Sequence, residues 1–506
     1  MKLEFLGADH EVTGSCHYLK VGQTHVLIDC GMEQGADLYV NQEIPVNASE
    51  VDYVLVTHAH IDHSGLLPLL YNHGFRGKIY ATNATTELCE IMLKDSAHIQ
   101  QFEAEWKNRK AKRAGRPEVV PLYDINDAMG VMEHFVPCPY AQKIEIEPGL
   151  TIRFVDAGHL LGSASIEVWA EDEDGKTKIV FSGDIGNGNK PLIKDPHFIE
   201  DADYVVMEST YGDRLHEVSV DYAKELAEVI TETFHRGGNV VIPAFSVGRT
   251  QELLYFLRRI KTENLMKEYQ DFEVYIDSPL AVEATGIFHK NVAECFDEEA
   301  LELVGKGINP IRFDGLKMAI TSDESKMINF NEKSKVIISA SGMCEAGRIR
   351  HHLKHNLWNP NSTILFVGYQ APGTLGYSIV HGAKKVKIFG EEIAVNARIE
   401  YIEGYSGHAD QEGLMNFVYS FIEKPKHIFL IHGEEESQEI LGGMIEEDAK
   451  LPVIIPSYGE TYEINVDEDV KLTHKIDKKL PVNMKSEVLK RLEKLRAEIN
   501  DMDNAV

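Results

Sequence analysis

A mixed α/β protein with a second α/β unit inserted into the first is the architecture predicted by the 506-residue sequence. Three observations carry that expectation. Short strands with polar tips fill the first 208 residues, regular helix–strand alternation begins near 210, and polar-tipped strands return near 399. Hydrophobic residues at 43% and charged residues at 26% fit a soluble globular chain and exclude a disordered or fibrous one.

The opening segments KLEFLGA, HYLKV and THVLIDCG are short, rich in branched residues and bounded by glycine, and read as strands. DYVLVTH (52–58) is another strand, running directly into a histidine-dense loop. Helical periodicity follows over 84–106, then a basic stretch, KNRKAKRAGRP, stopped by Gly115 and Pro117. Strands at 151–156, 164–170 and 178–182 end in AGHLLGSAS and SGDIG. From 220 a helix with a Gly237–Gly238 stop precedes the strand NVVIPAF, a helix from Arg249 and the strand FEVYIDSP, the rhythm of a parallel sheet with helical crossovers. KVIISASG and STILFVGYQ continue it. The expected division is 1–208 and 396–470 for the first unit, 209–395 for the insertion, and 471–506 for a helical tail. In that tail Val488, Leu492, Leu495, Ile499 and Met502 form an apolar stripe suited to its own domain or to a homodimer contact.

Lys plus Arg (51) against Asp plus Glu (81) leaves a formal charge of −30, which repels polyanions on average. A nucleic-acid partner therefore needs a local positive site or metal ions. Lys107, Arg109, Lys110, Lys112, Arg113 and Arg116 form the one dense basic cluster, either a solvated helix face or an RNA-binding patch. No apolar run is long enough to span a membrane, and the opening MKLEFLGADH has no signal-peptide core, so a cytoplasmic protein is expected. Six scattered cysteines without a CxxC pair read as reduced core thiols.

The strongest chemical signal is His58-Ala-His60-Ile-Asp62-His63 at a strand end. Imidazole and carboxylate are the ligand set of Zn²⁺ and its borderline neighbours, and alternate placement on a turn directs His58 and His60 to one centre, Asp62 and His63 to another. His159 and Asp184 stand at later strand tips, and a carboxylate at 184 can bridge two cations. Asp29, ending VLIDCG, is either an outer acceptor for a ligand histidine N–H or a turn cap.

HAHIDH with Asp29, His159 and Asp184 in this order resembles the metallo-β-lactamase superfamily, which implies an αββα sandwich with two metals on its strand-end edge. MESTYG (207–212), GYSGHAD (404–410) and LIHGE (430–434), with the long insertion between the first and second, resemble motifs A, B and C of the β-CASP nucleases. IPAFSVGRTQELL, SASGMCEAGRIRHHL and GYQAPGTLGYSI are similar to β-CASP sequences as well. The likeness is strongest to bacterial and archaeal relatives of the cleavage and polyadenylation endonuclease subunit. The RNA-binding KH domains that archaeal relatives carry upstream are not expected, since the first strand begins at residue 2.

The resemblance implies one metal held by His58, His60 and His159, a second by Asp62, His63 and His432, and Asp184 between them. His432 at motif C is the RNA-processing pattern. His408, oriented by Glu208, takes the place of a proton donor, which makes Asp62, Asp184, Glu208 and His408 the implied catalytic set. The implied reaction is zinc-dependent hydrolysis of single-stranded RNA, endonucleolytic, by hydroxide activated between two Zn²⁺ (Mn²⁺ or Fe as alternatives), leaving 5′-phosphate and 3′-hydroxyl ends. A 5′-exoribonuclease and a small-molecule metallohydrolase of thioesterase or lactonase type are the rivals. Ser246, Gly248, Arg249 and Thr250, and likewise Ser339, Ser341, Gly342 and Arg348, lie between a strand and a helix, where backbone N–H groups favour substrate phosphate.

Overall fold

The computed structural model describes residues 1–33, 44, 46–173, 175–216, 221–371, 373–402, 406–464 and 470–475. Two sheets face each other. The first has eight strands in the order Lys471–His474, Thr461–Glu463, Lys2–Gly7, Cys16–Val21, Thr24–Ile28, Tyr53–Leu55, Lys78–Thr82, Phe135–Cys138. The second has seven, in the order Val453–Ile454, His427–Ile431, Tyr204–Glu208, Gly175–Phe181, Ala164–Asp172, Leu150–Asp156, Ile144–Glu147. Leu3, Phe5, Leu19, Val26 and Ile28 of one meet Ile152, Phe154, Ile166, Ile179 and Phe181 of the other in a core fully withdrawn from water. Helices cover both outer faces, Leu67–Asn72, Asn83–Ala114 and Ile125–Met132 on one side, Gln411–Tyr419 and Glu435–Met444 on the other. This is the four-layer αββα sandwich.

Parallel pairing decides where function can sit. Thr24–Ile28 and Tyr53–Leu55 run parallel in the first sheet, as do Gly175–Phe181, Tyr204–Glu208 and His427–Ile431 in the second. The carboxyl ends of these strands all open on one edge, the edge where ligands bind in open α/β sheets.

The inserted unit holds a six-stranded sheet, Leu316–Met318, Glu273–Ile276, Lys335–Ser339, Val240–Pro243, Thr363–Phe366, Arg398–Tyr401, every pair parallel. Its central strands, Lys335–Ser339, Val240–Pro243 and Thr363–Phe366, are buried on both faces and largely apolar, whereas the edge strands Leu316–Met318 and Arg398–Tyr401 are partly exposed. Val240 and Ile242 pack under the helices Tyr222–His235 and Arg249–Thr262, whereas Val241 faces Ile349 and Leu353 of the opposite helical layer.

Three expectations are amended. Arg398–Tyr401 pairs with Thr363–Phe366, so the chain leaves the inserted sheet only after Tyr401 rather than at 395. The helix expected over 84–106 runs on through the basic stretch as Asn83–Ala114, opened by the Thr82 side chain accepting from Thr85 N–H and closed by Gly115 at φ +63°. Residues 471–474 are a strand pairing with Thr461–Glu463, not the start of a helical tail, and the stripe from Val488 to Met502 lies outside the described residues. All six cysteines are buried and unpaired, and among the described residues no helix is long and apolar enough to cross a membrane.

Candidate metal centre

The HAHIDH turn is stapled in place by its own backbone. Ser15 N–H donates to Asp62 O at 2.8 Å, Cys30 N–H to His63 O at 2.8 Å and Met32 N–H to Ile61 O at 2.9 Å. Gly31 passes so close that a Cβ there would lie 1.7 Å from Asp62 O, so only glycine fits. Asp29, just past its strand at φ +60°, accepts from Thr57 N–H at 2.8 Å, from Thr57 Oγ1 at 2.9 Å and from Ser15 Oγ at 3.3 Å.

Two groups of ligand atoms converge at this edge. His58 Nε2 and His159 Nε2 lie 3.1 and 3.2 Å from His60 Nδ1, and 3.4 and 3.6 Å from Asp184 Oδ2. His63 Nε2 lies 3.3 Å from His432 Nε2 and 3.3 Å from Asp184 Oδ1, while His432 Nε2 faces Asp62 Oδ2 at 3.9 Å. The two oxygens of Asp184 therefore point into different groups, each a set of His and carboxylate atoms with mutual spacing within 4.8 Å.

The hydrogen-bond network assigns the imidazole tautomers. His63 Nδ1–H donates to Asp29 Oδ2 at 2.7 Å and His159 Nδ1–H to the Gly407 carbonyl at 3.0 Å. Thr57 Oγ1 accepts from His58 Nδ1 at 3.1 Å, and Thr210 Oγ1 accepts from His432 Nδ1 at 3.1 Å. Each of these rings turns an Nε2 lone pair inward, the arrangement that outer hydrogen bonds impose on metal-ligating histidines. Burial holds His58, His60 and His159 below the usual histidine range, favouring the neutral form that binds cations. At His63 burial acts the same way, but the carboxylates of Asp184 and Asp29 outweigh it and raise the group well above that range. Asp184 Oδ1 is buried with no hydrogen-bond donor aligned on it. An orphaned buried carboxylate oxygen 3.3 Å from the inward Nε2 of His63 fits a cation, and the donor set is that of Zn²⁺ and neighbouring divalent ions.

Beside both groups stands His408. Its Nδ1 lies 3.2 and 3.1 Å from the two carboxylate oxygens of Glu208 and 3.8 Å from Asp184 Oδ2. Glu208 is fully buried at the end of its strand, with Oε1 accepting from Ile185 N–H. Burial disfavours the imidazolium, but Glu208 and Asp184 prevail and raise His408 to about 9. The ring is partly exposed and its Nδ1 is held by Glu208, which leaves Nε2 for proton transfer, although Asp184, Glu208 and His408 also stand within 4.8 Å of one another.

All the predicted ligands and the Glu208–His408 pair thus meet at one edge. The predicted phosphate residues fare unevenly. Gly248 brings its loop against the His159 turn, its Cβ position 3.0 Å from Leu160 Cδ1, and Gly342 abuts Phe245 of that loop at 3.1 Å. Thr250 Oγ1, however, donates to Phe245 O at 2.7 Å, Ser246 Oγ pairs with Ser278 Oγ at 3.1 Å, and Arg249 binds Glu252 at 2.7 Å. Ser341 Oγ donates to Ala346 O at 3.3 Å. Arg348 turns its guanidinium to Asp277 at 2.8 Å and to the Ala319 and Ile320 carbonyls, away from the role expected of it.

Residues that sequence reasoning missed complete the support. Thr57 and Thr210 fix three rings between them. His216 Nε2–H donates to the His408 carbonyl at 3.1 Å, and its N–H to Asp410, which also caps the following helix. Lys190 is buried, donates to the His159 carbonyl at 2.8 Å and pairs with Glu252 of the inserted unit at 3.2 Å. Thr57 and Thr210 each stand two residues past a strand end, whereas His216 and Lys190 sit in loops eight and nine residues beyond one, with no local cue in the sequence.

Two predictions arise here. Asp29→Asn keeps the shape but removes the charge that orients His63, and is expected to weaken metal affinity by about 10–100-fold in a chelator competition. Asp156, next to the His159 turn, is pushed up to about 7 by burial. A carboxyl held above its unfolded value of ~3.9 stabilises the fold below that value, and the contribution is lost as pH rises through about 7. Asp156→Asn should therefore raise Tm at pH 8 and give little or no gain near pH 4.

Comparison with known proteins agrees with this geometry. Family models match as a metallo-β-lactamase superfamily domain over 18–194, a β-CASP domain over 250–379 and a Zn-dependent metallo-hydrolase RNA specificity domain over 392–456. Ribonuclease TTHA0252 of Thermus thermophilus is 37% identical, with 88% of this chain and 96% of that protein covered. The transcription termination factor FttA of Methanosarcina mazei is 32% identical over 89% of this chain and 70% of its own. An RNase J-like protein of Methanocaldococcus jannaschii is 31% identical over 90% and 98%. A solved structure of unknown function from Enterococcus faecalis, 13% identical, matches 91% of this chain and 99% of its own with a TM-score of 0.52, and shares the fold alone. The chain belongs to the β-CASP family of metallo-β-lactamase hydrolases.

Proposed function

We propose that this protein is a ribonuclease that hydrolyses phosphodiester bonds within single-stranded RNA and holds two Zn²⁺ per chain. The observation that carries the reading is the Glu208–His408 pair set beside Asp184, whose oxygens reach into both ligand groups. Relatives named as a ribonuclease and an RNase J-like protein, and the RNA specificity domain over 392–456, support RNA as the substrate. His58, His60 and His159 would hold one cation, Asp62, His63 and His432 the other, with Asp184 shared. Two divalent cations bound there supply a water acidic enough to ionise near neutral pH and offset the charge of the phosphate under attack.

The chain's own residues do the rest. Asp29, Thr57, Thr210 and the Gly407 carbonyl keep the inward lone pairs aimed. Glu208 keeps His408 protonated near neutral pH, and His408 Nε2–H gives its proton to the departing 3′ oxygen. The products are a 5′-phosphate and a 3′-hydroxyl. The loops at 245–249 and 341–342 meet beside the His159 turn, at the start of the helix Arg249–Thr262, and this helix start is where the next phosphate would lie. Buried unpaired cysteines suit a cytoplasmic enzyme.

The test is cleavage of one unstructured oligonucleotide in RNA and matched DNA forms, labelled once internally and once at the 5′ end, with Zn²⁺ or Mn²⁺ present. Internal cuts in RNA alone are expected. Mononucleotide release from the 5′ end would assign the activity of a 5′-exoribonuclease instead. Failure to cut either strand by the metal-loaded protein would leave a small-molecule substrate as the better reading.

A further inference from the structure

The helix Asn83–Ala114 extends beyond what its domain needs. Its first turn lies under the catalytic edge, where Thr82 Oγ1 and Thr85 Oγ1 donate to the Gly162 carbonyl at 2.6 and 2.8 Å, three residues from His159. At 1.5 Å per residue its 32 residues span about 48 Å, so its basic end lies some 36 Å from that root. Leu93, Ala97 and Ala104 fall on one narrow arc and are buried against the domain. With 100° per residue, Phe102, Trp106, Arg109, Lys110 and Arg113 fall within a 100° arc on the opposite side. All five are exposed, Phe102 at 64% and Trp106 at 52%, and the Lys110 ammonium lies 3.5 Å from the Trp106 ring centroid.

An outward face on which two aromatic rings lead into three cations is unusual for a solvated helix. Arg109 pairs with Glu105 at 3.4 Å, an exposed contact worth little, and among the described residues Lys110 and Arg113 have no carboxylate partner. Residues 107–116 carry six Lys or Arg and no acid, in a chain of net charge −30. A polyanion repelled by the molecule as a whole finds its favourable potential here, and exposed rings give unpaired bases a surface to stack on.

We propose that this arm is a docking track for single-stranded RNA outside the catalytic edge, with Phe102 and Trp106 stacking bases and Arg109, Lys110 and Arg113 holding phosphates. The assignment rests on RNA being the substrate. It makes the enzyme favour RNAs long enough to reach both the arm and the cut.

The test measures binding of a 30-nucleotide unstructured RNA to the metal-loaded full chain by fluorescence anisotropy at 4 °C, at several salt concentrations. One variant carries Phe102→Ser and Trp106→Ser, the other Arg109→Gln, Lys110→Gln and Arg113→Gln, each checked for an unchanged Tm. The aromatic variant should weaken binding by roughly 5- to 100-fold, the range for lost base stacking. The charge variant should lower the slope of log K against log salt by about 2, at ~0.7 per phosphate contact. Binding within two-fold of wild type and an unchanged slope in both variants would overturn the proposal and leave the face to a protein partner. RNA that binds through the arm but is not cut would overturn the ribonuclease reading and leave this assignment standing.

Discussion

His408→Ala should retain both cations and slow RNA cleavage by about 10²–10⁴-fold, the range for a lost general acid. The His408 Nδ1 is held by Glu208 and stands 3.8 Å from Asp184 Oδ2, outside both ligand groups, so removal of the ring leaves both groups intact. What disappears is the proton for the departing oxygen. Glu208→Gln should act through the same group with a different signature. Removing the buried carboxylate that raises His408 lets burial prevail, so the protonated donor is lost at lower pH and the alkaline fall in rate moves down the pH scale. A pH–rate profile of wild type, Glu208→Gln and His408→Ala, with metal content measured on each, checks both statements. Loss of metal from His408→Ala would make it a ligand and remove it from proton transfer.

Asp184→Ala should cost more, abolishing metal retention and activity together. Among the described residues Asp184 is the side chain whose two oxygens face both groups, at 3.4 and 3.3 Å from His58 and His63. Its loss also withdraws the charge that balances five neighbouring imidazoles. Asp62→Ala should empty only the group of His63 and His432 and leave His58, His60 and His159 able to hold a cation. Metal analysis after dialysis separates the outcomes as none retained for Asp184→Ala and about half for Asp62→Ala.

Much of this centre was legible in the sequence because each ligand is announced by its surroundings. His58, Asp184, Glu208 and His432 all follow apolar strands and precede turns, and parallel pairing brings such tips to one edge. The outer groups were not legible. Thr57, Thr210 and Lys190 are ordinary residue types, and nothing local shows that Thr210 meets His432 across 222 positions. The phosphate residues were read from their place between strand and helix, but that pattern cannot tell a free side chain from one held internally. Arg348, bound to Asp277 from a strand 71 residues earlier, is the plainest instance. Fold boundaries failed for a similar reason. IEYIEGYSGHAD runs without a break from the last strand of the inserted sheet to His408, so the crossing point is fixed by strand pairing rather than by composition. The arm helix continues past its apolar period on a narrow buried edge that reaches Ala104 and on the Asn108–Val119 hydrogen bonds to the returning chain, and Gly115 with Pro117 marked where it stops.

The central claim is that two cations held by these groups work with His408 on RNA. A titration of Zn²⁺ into metal-free protein, following bound metal and the rate of internal RNA cleavage in the same samples, tests it most directly. Activity that rises to its maximum as the second equivalent binds, and that stays low in His408→Ala at the same occupancy, is the predicted result. Full activity at one equivalent, or an unimpaired His408→Ala protein, would contradict it.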